Sequence, residues 1–178
     1  MAEERRINGS PEVIVRKVKI KDKCLKVALD ENYSFTDGTG ECESVFKEYK
    51  RTAHADLLEC LNDLAPHLAE ICNIDPAKYG DVEVTGYTAK DLRGEAPQVL
   101  LIGKVKSIDN KYVSIVTPLL FPETTSYKKA RALLATMINL EDEVLQYVMA
   151  GKSADQAEWT LFTQGTPTKA ASGAGAGK

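Results

Sequence analysis

Hydrophobic and polar positions alternate near the start of the chain in a pattern typical of β-strands. β-Branched residues dominate Glu12–Lys21, and Cys24–Leu29 alternates again after a turn at Asp22-Lys23. The two segments predict a β-hairpin. Simple alternation in the first strand places Ile14, Arg16, Val18 and Ile20 on one face, and Val15, Lys17, Lys19 and Lys21 on the other.

A helical pattern follows a polar, glycine-bearing loop predicted for residues 30–43. Apolar residues recur three or four positions apart from Val45 to Ile71, which predicts an amphipathic helix beginning near Cys42–Ser44. Pro66 lies inside this run, and a proline within a helix removes a hydrogen bond and clashes with the preceding turn. We therefore expect a kink or break at Pro66 and a short second helix to about Cys72.

Three further strands and a final helix are predicted in the second half. Asp81–Tyr87 alternates, Val99–Val105 is a continuous apolar run typical of a central strand, and Tyr112–Thr117 is again β-branched. Ser126–Met149 has helical periodicity, with a serine at its start that can cap it. Gly151 follows at the position that favours a glycine after a helix.

The order ββαβββα predicts an α+β fold. Its antiparallel sheet is built from an N-terminal hairpin and a three-strand meander, and two amphipathic helices pack on it. Residues 1–11 are predicted to be a flexible N-terminus and residues 12–162 a single domain. The glycine- and alanine-rich residues 163–178 cannot form a core and are predicted to be a disordered tail.

Composition narrows the function classes. Hydrophobic residues make up 43% of the chain and charged residues 28%, which is ordinary for a globular protein. The sequence shows neither a signal peptide nor an apolar run of about 20 residues, so we predict a cytoplasmic protein without membrane contact. The four cysteines have no C-x-x-C spacing, which favours reduced thiols over a zinc module.

The residues that could take part in catalysis form no recognisable catalytic motif. A nucleophile needs a base within hydrogen-bond reach, and neither His54 nor His67 is spaced for one. Gly151-Lys152-Ser153 is similar to the end of a phosphate-binding loop, but Gln146 stands where that loop needs a glycine. We therefore predict a protein that is not an enzyme and that holds neither a metal nor a cofactor.

Basic residues are concentrated at the N-terminus although the whole chain carries a formal charge of −3. Residues 1–26 have a net charge of +4, residues 27–97 of −9, and residues 98–178 of +2. Lysines on a sheet face can follow a phosphate backbone, and a tyrosine can stack on a base. The predicted nucleic-acid-binding residues are Lys17, Lys19, Lys21, Lys104, Lys106, Lys111 and Tyr112. Protection of an edge strand against aggregation is the alternative explanation of these lysines.

Three stretches have a familiar arrangement of apolar positions. They are Ala53–Ile74 with its core from Leu64 to Cys72, the run from Val82 to Tyr87, and Val99–Pro118 with its end Ile115-Val116-Thr117-Pro118. Together they resemble small proteins encoded in the early or recombination regions of tailed bacteriophages and prophages. The resemblance implies a phage-derived protein near single-strand binding or annealing functions, and it carries no catalytic motif.

The leading expectation is a non-catalytic binding protein of phage nucleic-acid metabolism. It would engage single-stranded DNA through the lysine-bearing strand face, as a homo-oligomer in the host cytoplasm. The alternative is a protein–protein or small-ligand binder that inhibits or sequesters a host defence component. In that case the acidic middle of the chain would form the binding surface.

Overall fold

The computed structural model describes residues 7–75, 81–107, 109–122 and 125–153, and within them the chain has an α+β fold. The strands are β1 (Glu12–Lys21), β2 (Cys24–Ser34), β3 (Gly40–Thr52), β4 (Val82–Lys90), β5 (Gln98–Lys106) and β6 (Tyr112–Val116). The helices are α1 (Ala55–Asn62), α2 (Ala65–Ile71) and α3 (Ala130–Leu145). The segment predicted at residues 154–162 and the tail predicted at 163–178 lie outside the described residues.

The strands form one antiparallel sheet in the order β3-β2-β1-β4-β5-β6. Two meanders, β1-β2-β3 and β4-β5-β6, meet where β1 pairs with β4. The predicted turn between β1 and β2 is confirmed, because Asp22 and Lys23 both have positive φ, at 53° and 61°. Such a turn matches the right-handed twist of the strands that it joins.

The prediction of a loop at residues 30–43 and of a helix from Cys42–Ser44 is wrong, because this part of the chain extends β2 and forms β3. β3 pairs with β2 from Gly40 to Thr52, and the helix begins only at Ala55. Val45 and Tyr49 are four residues apart, a spacing that fits a helix face and equally fits one face of a strand. The long pairing with β2 decides between the two.

A β-bulge corrects the predicted faces of β1. The pairing with β2 shifts register between Val15 and Lys17, so Arg16 is the extra residue. One extra residue reverses the alternation that precedes it. Val15 therefore shares the buried face with Val18, and Ile14 does not, whereas the lysines after the bulge keep the face predicted for them.

The helices cover one face of the sheet and bury the core against it. The predicted break near Pro66 is confirmed, since α1 ends at Asn62 and Pro66 lies in the first turn of α2. α1 and α2 pack on β4, and α3 packs on α1 and β1. The fully buried side chains include Val15, Val18, Leu25, Leu29, Leu57, Leu64, Leu68, Tyr87, Leu101, Leu133, Met137 and Leu140.

The C-terminal helix starts four residues later than predicted and ends in a π-helical turn, Gln146–Ala150. Gly151 follows with φ 83°, as predicted for a residue after a helix. Lys152 is buried and its Nζ lies 2.6 Å from Asp56 and 2.7 Å from Glu143. Lys152 therefore connects α3 to α1, and two carboxylates of the protein neutralise its charge.

Candidate functional site

The face of the sheet opposite the helices is called the open face here. It carries the side chains that alternate with the buried ones along each strand. Its central members are Lys17, Lys19 and Lys21 from β1, Lys26 and Ala28 from β2, Phe46 from β3, Thr88 from β4, Leu100, Ile102, Lys104 and Lys106 from β5, and Tyr112 and Val116 from β6. All of these side chains are exposed or half-buried.

Strand pairing arranges these side chains in rows across the sheet. One row runs Phe46, Ala28, Lys17, Thr88, Leu100, and the next runs Glu48, Lys26, Lys19, Gly86, Ile102, Val116. Neighbours in a row are about 4.8 Å apart along the hydrogen-bonding direction. Lys17 and Lys19 therefore occupy the middle of the face. The row of Lys17 has apolar side chains at both ends, whereas the row of Lys19 ends in Glu48 on β3 and in Val116 on β6.

Gly86 allows the two meanders to join closely in the middle of this face. A Cβ atom at Gly86 would lie 2.2 Å from the carbonyl oxygen of Val18 and 3.0 Å from the Cα of Lys19. No side chain could be accommodated without moving β1. The absence of a side chain leaves a flat area of backbone between Lys19 and Ile102.

Three acidic residues of the open face are paired with cations within the protein. Asp30 bonds to Arg16 and accepts from Ser44 at 2.8 Å, and these contacts, with the Arg16 hydrogen bond the largest, lower the pKa of Asp30. Glu48 lies 2.8 Å from Lys26, and Glu83 lies 3.0 Å from Lys104.

Four lysines of the open face have no such partner. Among the described residues, no acidic group lies within ion-pair distance of Lys17, Lys19, Lys21 or Lys106. Because Asp30, Glu48 and Glu83 are paired with cations, these four lysines give the face a net positive charge. The charge is local, since the molecule as a whole is acidic.

Two aromatic side chains are exposed on the open face, one on each of the two edge strands of the sheet. Phe46 on β3 is 65% exposed and Tyr112 on β6 is 59% exposed. The Lys104 Nζ lies 4.8 Å from the centre of the Tyr112 ring, in a cation–π contact. Phe46 faces the small Ala28 on the neighbouring strand, so its ring stands clear of the sheet.

The structure brings together six of the seven predicted site residues. Lys17, Lys19, Lys21, Lys104, Lys106 and Tyr112 share the open face. Lys21 and Lys104 also line one depression of about 420 Å³ at the hairpin end of β1. Lys111 lies apart, in the turn between β5 and β6, where alternation with Tyr112 directs it away from the open face.

Sequence reasoning missed the apolar part of the open face. Phe46 lies close to the predicted helix start at Cys42–Ser44, so the helical pattern does not indicate its place on a strand. Leu100 and Ile102 lie in a continuous apolar run, where nothing distinguishes the covered side from the open one. A count of alternation in residues 44–50, with Ser44, Phe46 and Glu48 on one side, would have indicated the strand.

The histidines have structural roles in the described contacts. His54 caps α1, since its Nδ1 accepts from the backbone N–H of Asp56 at 3.3 Å. His67 is buried, with its Nδ1 2.7 Å from the hydroxyl of Tyr127. Burial, reinforced by the nearby Lys129 cation, lowers the pKa of His67. Within the described residues, no three His, Cys, Asp or Glu side chains form a group that could hold a metal ion.

Comparison with known proteins found no match: neither a family model, nor a curated protein, nor a solved structure is similar to the chain. The resemblance to phage proteins therefore stays a prediction. In the part of the chain that the structure describes, no helix combines the length and the apolar character that a membrane crossing requires.

Proposed function

We propose that the protein binds single-stranded nucleic acid, with single-stranded DNA as the expected ligand, across the open face of its sheet. The observation that carries this proposal is the combination on one uncovered face of unpaired lysines and exposed aromatic rings. The protein would act as a binding protein and not as an enzyme.

The lysines supply the contacts to phosphate. Lys17 and Lys19 lie in the middle of the face and point to solvent, and Lys21 and Lys106 lie nearer its end. Each phosphate neutralised by a lysine releases a condensed counterion, so affinity falls as salt rises. Four contacts to a single strand predict a slope of about −3 in a plot of log K against log salt.

The exposed rings supply the contacts to bases. Every base has a flat aromatic face, so stacking on Phe46 or Tyr112 would be tolerant of sequence. Leu100, Ile102 and Val116 add apolar surface in the rows that contain Lys17 and Lys19. A face kept uncovered only for solubility would not need two aromatic rings standing out from it.

The shape of the face favours a single strand over a duplex. Six strands spaced about 4.8 Å apart span roughly 24 Å, whereas the major groove of DNA is about 12 Å wide. The sheet cannot enter that groove to reach base edges. A single strand can lie across the face with its bases turned toward the protein.

The test is fluorescence anisotropy of a labelled single-stranded oligonucleotide, titrated with the full chain at low and at physiological salt. A duplex of the same length and sequence is the matched control ligand. We expect saturable binding to the single strand that weakens steeply with salt, and weaker binding to the duplex. Absence of single-strand binding even at low salt would overturn the proposal and turn attention to protein partners.

A further inference from the structure

The two edges of the sheet differ in their protection against pairing with another strand. β3, at one edge, has thirteen residues and bears charged side chains including Glu41, Glu43, Glu48 and Lys50. Charged residues on an edge strand discourage association with another sheet. β6, at the other edge, has five residues, Tyr-Val-Ser-Ile-Val, and none is charged.

An uncharged apolar surface surrounds the β6 edge. From Tyr112 to Phe121 the sequence contains no charged residue. The large apolar side chains exposed here are Tyr112, Val113, Val116, Leu119 and Phe121, which are between 43% and 59% exposed. They make up five of the eight large apolar side chains that the described residues expose. An apolar patch of this kind on a sheet edge is typical of an interaction surface.

The outer edge of β6 has backbone N–H and C=O groups that are directed away from β5 and can pair with another strand. Thr117 N–H donates to the carbonyl of Leu101, and Ser107 N–H donates to the carbonyl of Lys111, at 3.0 and 2.7 Å. In an antiparallel pair, alternate residues direct their N–H and C=O groups to the same neighbour. The odd-numbered residues therefore face β5, and the backbone groups of Tyr112, Ser114 and Val116 face outward.

We propose that β6 pairs with β6 of a second copy of this chain, antiparallel, about a two-fold axis at Ser114. This register sets Tyr112 opposite Val116 of the second copy and Val113 opposite its Ile115, so that every apolar side chain meets another. Ser114 meets its own equivalent. Each outward-facing pair can exchange two backbone hydrogen bonds.

The strand itself points to a second copy as the occupant. Its pattern of apolar residues about a central serine is the same when read in either direction, which is what an isologous interface requires. A charged peptide would find no complementary charge on β6. The other edge lacks this self-complementarity, because self-pairing of β3 would bring its several glutamates close together.

The proposed dimer would enlarge the open face. The two-fold axis that relates two antiparallel strands is perpendicular to their sheet, so both open faces would lie on the same side. Tyr112 and the lysines of β5 would then stand near the middle of a twelve-stranded sheet. A five-residue strand pair is small beside the roughly 800 Å² per partner of a standard interface, so we expect a weak dimer whose population depends on concentration.

The test is sedimentation velocity of the full chain, without nucleic acid, from about 1 to 100 μM. We expect a monomer–dimer equilibrium that Ser114→Lys shifts to monomer, because the axis would bring two ammonium groups together. Ser44→Lys, the same change on the β3 edge, is the matched control and should leave the equilibrium unchanged. A monomer at every concentration, or a dimer that Ser114→Lys leaves intact, would overturn the proposal.

A cross-link provides a second readout that does not depend on weakening the dimer. The Cα atoms of a directly opposed, hydrogen-bonded pair are about 5.5 Å apart, within the range that a disulfide spans. In a Cys42→Ser background, which removes the exposed native thiol, Ser114→Cys should give a covalent dimer on mild oxidation. The background variant alone should not, and failure of Ser114→Cys to cross-link would count against this register.

Discussion

The covered face and the open face of the sheet are made from alternate residues of the same strands, yet they differ in chemistry. On the covered face, Val18, Tyr87 and Leu101 are completely buried beneath the helices. On the open face, their sequence neighbours Lys19, Thr88 and Leu100 remain partly or fully accessible. One strand can therefore contribute to the stability of the fold and, through its other face, to recognition.

The two faces differ in more than the proportion of apolar and polar side chains. A purely solvated face would carry charges of both signs without large exposed rings. The open face instead pairs Asp30, Glu48 and Glu83 with cations, leaves several lysines unpaired, and exposes Phe46 and Tyr112. This arrangement leads us to assign stability to one face and binding to the other.

The largest expected effect is on the free energy of unfolding, and it distinguishes two neighbouring leucines that lie on opposite faces of the sheet. Leu101→Ala removes a fully buried side chain from the covered face and should lower the free energy of unfolding by about 2–5 kcal/mol. Leu100→Ala, the same change one residue earlier on the open face, should cost less than about 1 kcal/mol. Urea denaturation measures both, and similar costs at the two positions would contradict the assignment of the faces.

Removal of an exposed ring should affect binding and leave stability nearly unchanged. Phe46→Ala or Tyr112→Ala should each weaken single-strand affinity by about 1–3 kcal/mol, the contribution of one stacked base. Met149 is similarly exposed, at 60%, but lies beyond α3, so Met149→Ala is the matched control. Anisotropy titrations that give the same affinity for the ring variants and the control would exclude stacking on these rings.

The smallest expected effect concerns pH. Burial lowers the pKa of His67, with a further contribution from Lys129, so the folded protein binds this proton less readily than the unfolded chain. Its contribution to stability is complete above about pH 6.5 and is lost as the pH falls toward the folded pKa. The open face contains no histidine, so single-strand affinity should change little over the same range.

Two histidine variants check the origin of this pH dependence. His67→Gln should flatten the decline in the free energy of unfolding between pH 7 and 5.5, by at most about 1.4 kcal/mol per pH unit. His54→Gln, which changes the other histidine, should retain the decline. An unchanged slope in His67→Gln would show that other groups cause it.

The sequence predicted the fold class and most strands, because alternation and β-branched residues are local signals. It failed at β3, where Val45 and Tyr49 fit both a strand and a helix and only pairing with β2 decides. It also misplaced Ile14 and Val15, because the bulge at Arg16 arises from the register between two strands. Neither strand pairing nor register can be read from one segment alone.

The basic half of the candidate site could be predicted, and the apolar half could not. Lys17, Lys19 and Lys21 follow the bulge, so simple alternation still places them together. Phe46 reaches the same face only through the pairing of β3 with β2 and of β2 with β1. The internal pairing of Asp30 with Arg16, which leaves the face positive, also depends on contacts between strands.

Two double variants with equal charge test the central claim most directly. Lys17→Ala/Lys19→Ala removes two cations from the open face, and Lys128→Ala/Arg131→Ala removes two exposed cations at the start of α3. Single-strand binding is measured by anisotropy as a function of salt. We predict that the open-face variant binds more weakly and that its salt slope is smaller in magnitude by about 1.4, while the α3 variant keeps the slope of the unmodified protein. Equal losses in the two variants, or no loss in the first, would contradict binding through the open face.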